Sequence, residues 1–138
     1  MRYLVATDGS EVSDEAVAYA AEHATALDAT LELVHVIEPE AEFVDGDLLQ
    51  RSEEELLTAG RETLERARAL ATETADVAVE TELLTGRPAD AIAEYATAEG
   101  IDAIYVGHRG LSEKREQVVG SVAKSVLDRA TVPVTVVR

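Results

Sequence analysis

The sequence predicts an α/β fold: a single doubly wound, five-stranded parallel sheet with helices on both faces. Three observations carry that reading. Short β-branched runs alternate with longer helical stripes throughout the chain. No run of about 18 apolar residues interrupts the pattern. With 138 residues and 46% hydrophobic side chains, the chain can bury one core but hardly two, so a single domain over residues 1–138 is expected.

The five candidate strands are Tyr3 to Thr7, Leu31 to Ile37, Val77 to Leu84, Ile101 to Gly107 and Val132 to Val137. After the first comes Asp8-Gly9-Ser10, where Asp8 suits a helix cap. The helix that follows sets Ala16, Val17, Ala20, Ala21, Ala24 and Leu27 on one face. From Glu38 to Gln50 there is no dependable period, and Pro39, Gly46 and five acids make it a surface loop. Ser52 with Glu55 three residues later is a capping box. It opens a second helix with inward residues Leu56, Gly60, Leu64, Ala67 and Ala71. Pro88 after Gly86 suits the first turn of a third helix. The last helix opens at Gly120-Ser121 and aligns Val119, Val122, Ala123, Val126, Leu127 and Ala130. No internal repeat or linker composition divides the chain.

Charge narrows the function classes. Against 12 basic side chains stand 28 acidic ones, a formal charge of -16, so coating nucleic acid or docking on anionic lipid through net charge is disfavoured. Any anionic ligand must be held locally. Lys114 and Lys124 are the only lysines, while acids are dispersed throughout, a surface that repels itself unless salt screens it. Adaptation to a high-salt cytoplasm is the expectation. Without cysteine there are no disulfides, thiolate zinc sites or cysteine nucleophiles, and no H-E-x-x-H spacing supports a transition metal. The chain reads as a soluble, cytoplasmic protein.

In open α/β sheets ligands bind beyond the carboxyl ends of the strands. Two such places stand out. After the fourth strand comes Gly107-His108-Arg109-Gly110, then nine residues, then Gly120-Ser121 at a helix start. Glycines allow close backbone approach and positive φ, and a helix start attracts anions, so this is how a phosphate is held. Charge agrees: Arg109, Lys114, Arg115, Lys124 and Arg129 outnumber Glu113, Glu116 and Asp128 in this segment. At the end of the first strand, Asp8 is either a helix cap or an acceptor for ribose or base hydrogen bonds. His35 reads as a hydrogen-bonded packing residue and His23 as a helix-flank residue without a partner. Neither G-x-x-x-x-G-K-[ST] nor G-x-G-x-x-G occurs, so the chain is neither a P-loop NTPase nor a dinucleotide-binding domain.

These residues resemble the universal stress protein family, in particular its ATP-binding branch. That branch carries G-x-x-G, nine residues and G-[ST], matched by Gly107, Gly110, Gly120 and Ser121. The resemblance extends over Val5 to Ser10, His35-Val36-Ile37 and Val132-Pro133-Val134. It implies the strand order 3-2-1-4-5 and a nucleotide site. Ala6, Thr7, Asp8 and the Val36 backbone hold the adenosine end, and Val106 and Gly107 run along the ribose. Gly110, Gly120, Ser121 and Val122 cradle the phosphates with Arg109 and His108 beside them, and Mg²⁺ bridges the phosphates of ATP. His108 departs from the small hydroxyl residue of many members, so its imidazole either contacts ligand or points to solvent.

The leading reading is therefore an ATP-binding stress-response regulator, not a fast enzyme, with a downstream protein partner that the sequence does not name. A homodimer through residues 133 to 137 is expected, because a β-branched edge strand exposes unpaired backbone groups. One alternative is a slow ATPase or adenylyl-group enzyme, although the second histidine of H-x-G-H is Leu111 here and only His108 offers a base. The other is a dimeric interaction module without nucleotide, against which the complete glycine motif argues.

Overall fold

The computed structural model describes residues 1–38, 41–44, 47–50, 53–108 and 120–138, with 41–44 and 47–50 as backbone. Strand β1 (Arg2–Ala6) leads into helix α1 (Glu11–Ala26) and strand β2 (Thr30–Ile37). A hairpin, β3 (Ala41–Val44) and β4 (Asp47–Gln50), precedes helix α2 (Glu53–Thr74) and strand β5 (Val79–Thr85). Then follow α3 (Pro88–Ala98), β6 (Ala103–Gly107), α4 (Ser121–Arg129) and β7 (Val134–Val137).

The main sheet runs β5-β2-β1-β6-β7, every neighbour parallel. Counting only its own strands, that is the order 3-2-1-4-5. Period-two alternation divides the strands between two cores. Tyr3, Val5, Leu31, Leu33 and Tyr105 face α1 and α2, whereas Leu4, Val34, Ile104 and Val106 face α3 and α4. Each helix contributes small residues to its side: Ala16, Ala20 and Ala24 from α1, Ala67 and Ala71 from α2, Ala89 and Ala96 from α3, Ala123 from α4. Small side chains bring helix and sheet close, as at Gly60, where a Cβ would lie 2.6 Å from Leu83 Cδ1.

Local chemistry sets the helix ends. Ser10 caps α1, its Oγ accepting from Ser13 N–H at 3.2 Å. The same helix stops in a Schellman turn: Ala29 N–H donates to Ala24 C=O at 2.8 Å across Asp28, which takes φ 54°. Helix α3 stops identically, Ile101 N–H donating to Ala96 C=O across Gly100 at φ 64°. Pro88 occupies its first turn, as the sequence predicts.

Several expectations need correction. Residues Glu38 to Gln50 are not all loop, since β3 and β4 pair antiparallel within them. Leu27 is 54% exposed because it is the C-cap of α1 and no longer on the helical stripe. Val122 and Leu127 are 43% and 47% exposed, so α4 buries only Ala123 and Val126, with Ala130 packed beside them. Ser52 and Val119 lie outside the described residues.

One buried charge crosses the α3/α4 side of the sheet. Glu32 is 1% exposed; its Oε1 accepts from Tyr95 Oη at 2.7 Å. Arg2 Nε lies 2.6 Å from Oε2, an ion pair lying off the line of a hydrogen bond, and the Arg2 guanidinium also donates to the Glu99 carbonyl. Burial of a carboxylate is tolerable only with such partners.

Candidate nucleotide site

Because β1 lies between β2 and β6, the carboxyl ends of these three strands share one edge. The register Val5↔Tyr105 and Ala6↔Val34 brings Ala6, Thr7 and Asp8 alongside Val106 and Gly107 on one flank and toward Val36 on the other. Ala6, Val36 and Val106 contribute side chains to the α3/α4 core, so only their backbone faces the edge as polar surface.

The turn after β1 is a closed network of short polar groups. Thr7 N–H donates to Val34 C=O at 2.9 Å, and His35 Nδ1–H donates to Thr7 C=O at 2.8 Å. Gly9 N–H reaches Thr7 Oγ1 at 3.2 Å, and Thr7 Oγ1 meets Ser13 Oγ at 3.1 Å. Thr7, Ser10 and Ser13 are all buried. His35 thus has the packing role expected of it. Asp8 does not cap the helix; Ser10 does. Asp8 Oδ1 accepts from Ser10 N–H at 2.9 Å in an Asx turn, and the residue is exposed at the sheet edge. In the next turn burial raises the Asp14 carboxyl above its ordinary range, against the attraction of Arg66 and helped by Asp8 and Glu11.

The second half of the site begins at the end of β6. Gly107 is required for a reason the spacing did not reveal: a Cβ there would lie 2.6 Å from Val12 Cγ1 and 3.0 Å from the Val12 carbonyl oxygen. Close approach of α1, not positive φ, demands this glycine, and Gly120 too has an ordinary φ of -64°. His108 is 9% exposed and turned away from solvent. Its backbone N–H donates to Val137 C=O at 3.0 Å, and its Nδ1–H reaches the same oxygen at 3.3 Å. Its carbonyl accepts from Gly120 N–H, so the chain leaving β6 is tied to the chain entering α4. Gly120 is the N-cap of α4 and has no side chain to cap it, while Ser121 and Val122 are exposed in the first turn. Arg109 and Gly110 lie outside the described residues, as do Lys114 and Arg115. Arg129 stands in the last turn of α4, its Nε 2.5 Å from Asp90 Oδ1.

His23 has partners that sequence did not disclose. Its Nδ1 lies 3.1 Å from Tyr105 Oη, and its ring lies 4.2 Å from that of Tyr19. Burial raises the Tyr105 hydroxyl above its ordinary range, with Tyr3 and Tyr19 adding to it. The contact joins residues 82 apart, which no local pattern announces.

Comparison with known proteins agrees with this architecture. The model of the universal stress protein family matches residues 1–138. A universal stress protein of Thermus aquaticus is 37% identical over 136 residues, covering 98% of this chain and 96% of the relative. Among solved structures, a universal stress protein from Archaeoglobus fulgidus in complex with dAMP superposes with TM-score 0.78 at 26% identity, over 100% of this chain and 98% of that one. Another universal stress protein, in complex with cAMP, gives TM-score 0.75 at 28% identity over 100% and 96%. The chain belongs to the universal stress protein family.

Proposed function

We propose that this protein binds ATP, with Mg²⁺ on its phosphates, at the carboxyl edge of the sheet and acts as a nucleotide-dependent stress-response regulator. One observation carries the reading. The chain that leaves β6 at Gly107-His108 returns at Gly120, bonded to the His108 carbonyl, and starts α4 there without a capping side chain. A helix start beside a strand end favours an anion through its N–H groups and dipole. Relatives solved with dAMP and cAMP support an adenine nucleotide as the class of ligand.

The residues divide the work by their chemistry. Asp8, exposed and acidic, accepts hydrogen bonds from the ribose; the backbone of Ala6, Thr7 and Val36 meets the adenosine end. The backbone of Val106 and Gly107 lies along the sugar. Gly120, Ser121 and Val122 face the phosphates, joined by Arg109 and Gly110, while His108, its imidazole turned to the Val137 carbonyl, supports Gly120 through its own backbone carbonyl. Mg²⁺ would come with the nucleotide, held by its phosphates, since Mg²⁺ is usually bound through substrate phosphates and water rather than an all-protein cage.

The test exploits composition. The chain has no Trp and four Tyr, so adenine carried through purification would dominate its ultraviolet spectrum. Protein purified without denaturant should release ATP or ADP on acid treatment, and Gly120→Val protein should release neither while remaining folded. A side chain at that position occupies the space where backbone meets phosphate. Equal nucleotide content in both proteins would refute the site.

Self-association through β7 belongs to the same proposal. Ile104 N–H donates to Pro133 C=O and His108 N–H to Val137 C=O, so odd-numbered residues of this strand turn their polar groups toward β6. In a strand those directions alternate, which aims the N–H groups of Val134 and Val136 outward. An antiparallel copy across a two-fold axis satisfies them.

A further inference from the structure

We infer that His108 is a positioning residue coupling nucleotide occupancy at the start of α4 to the C-terminal edge strand, so that ATP binding and self-association strengthen each other. This rests on the nucleotide and dimer readings above. Residue 108 is where three elements meet: it directly follows β6, its carbonyl receives Gly120 N–H at the N-cap of α4, and it holds the end of β7. The hold is double. A parallel ladder gives the Val137 carbonyl one donor, the backbone N–H of His108 at 3.0 Å; the imidazole adds a second at 3.3 Å. A carbonyl only accepts, so Nδ1 carries the hydrogen. Both groups are removed from solvent, His108 at 9% exposure and Val137 at 8%, which makes this link stiffer than a surface contact.

The direction of coupling follows. A phosphate on the first turn of α4 fixes Gly120, and Gly120 fixes residue 108 through the His108 carbonyl. A fixed His108 holds both donors on Val137 and keeps the last residues of β7 straight. A second copy pairing along Val134 and Val136 then meets an edge already ordered and loses less entropy in binding it. Linkage makes the effect reciprocal: whatever ATP does to the dimer, the dimer does to ATP. A link made through single hydrogen bonds supports a change of about fivefold.

The experiment measures the dimer dissociation constant by sedimentation, with and without saturating Mg-ATP, alongside calorimetric ATP titration. The three proteins are wild type, His108→Ala and His108→Asn, each checked for folding by circular dichroism. In wild type, ATP should tighten the dimer about fivefold. His108→Ala should weaken both equilibria and lose the dependence of one on the other. His108→Asn keeps an amide donor at nearly the same reach and should regain part of it; a purely structural role would not restore ligand dependence. If wild type binds ATP and its dimer constant is unchanged, or if His108→Ala keeps the full linkage, the inference is overturned while the nucleotide reading stands. If wild type takes up no ATP, or remains monomeric with and without it, the underlying reading fails and the coupling falls with it.

Discussion

Glu32 carries a charge into the interior of the sheet, and Tyr95 and Arg2 make that possible. Tyr95→Phe leaves one carboxylate oxygen without its donor, a loss of about 1–3 kcal/mol that urea denaturation would read. Burial, then the bond to Glu32, raises the Tyr95 hydroxyl well above its ordinary value of 10.0. A group with a raised folded-state pKa contributes stability that is complete below its unfolded pKa and lost as pH rises past it. The wild type should therefore lose stability as pH climbs above about 10, and Tyr95→Phe should lose it less steeply; parallel slopes would contradict the assignment. Gly107→Ala presents a different cost, since the new Cβ meets Val12 at 2.6 Å. It should destabilise the apo-protein by about 1–3 kcal/mol through overpacking, with no nucleotide involved. At this scale the sequence was only partly legible. The glycine spacing points to the proposed site, yet Gly107 answers to α1, and Glu32 lies concealed in a run that reads as apolar.

At the scale of elements, periodicity sufficed for the sheet because its five strands are β-branched and its helices carry alanine stripes, signals that repeat over many residues. Boundaries were less legible: β5 begins at Val79 and β6 at Ala103, each two residues inside the predicted run. The β3–β4 hairpin was missed although Asp45-Gly46 stands between the paired residues Val44 and Asp47, the dipeptide that favours tight hairpins. Acids and Pro39 masked its alternation. Three variants test the elements. Asp28 holds the left-handed position that ends α1, where a Cβ is unfavourable, so Asp28→Gly should stabilise the fold by about 0.5–1 kcal/mol in a thermal melt. Along β7, Val136→Pro removes an outward N–H and should prevent the proposed dimer while the monomer stays folded. Thr135→Pro removes an inward one and should destabilise the monomer itself. Equivalent behaviour of the two variants would contradict the assigned direction of the strand.

For the whole molecule, charge and the proposed ligand are opposed: under our proposal a chain of formal charge -16 holds a polyanion. The alternating pattern made the sheet order legible, but net charge gives no hint of the proposed site, because a helix start that favours phosphate is backbone and leaves no mark on composition. We propose that the acidic surface reflects a high-salt interior. Melting temperature should then rise substantially from low to molar potassium chloride, whereas equal stability in both would sink that reading. Salt that keeps the protein folded is also the condition in which its ligand must be sought. The most direct measurement is calorimetric titration of nucleotide-free protein with Mg-ATP in such salt, wild type beside Gly120→Val. Saturable heat with one site per chain in the wild type, absent from the variant, is the predicted result; no heat from the wild type at millimolar ATP would contradict the proposed function.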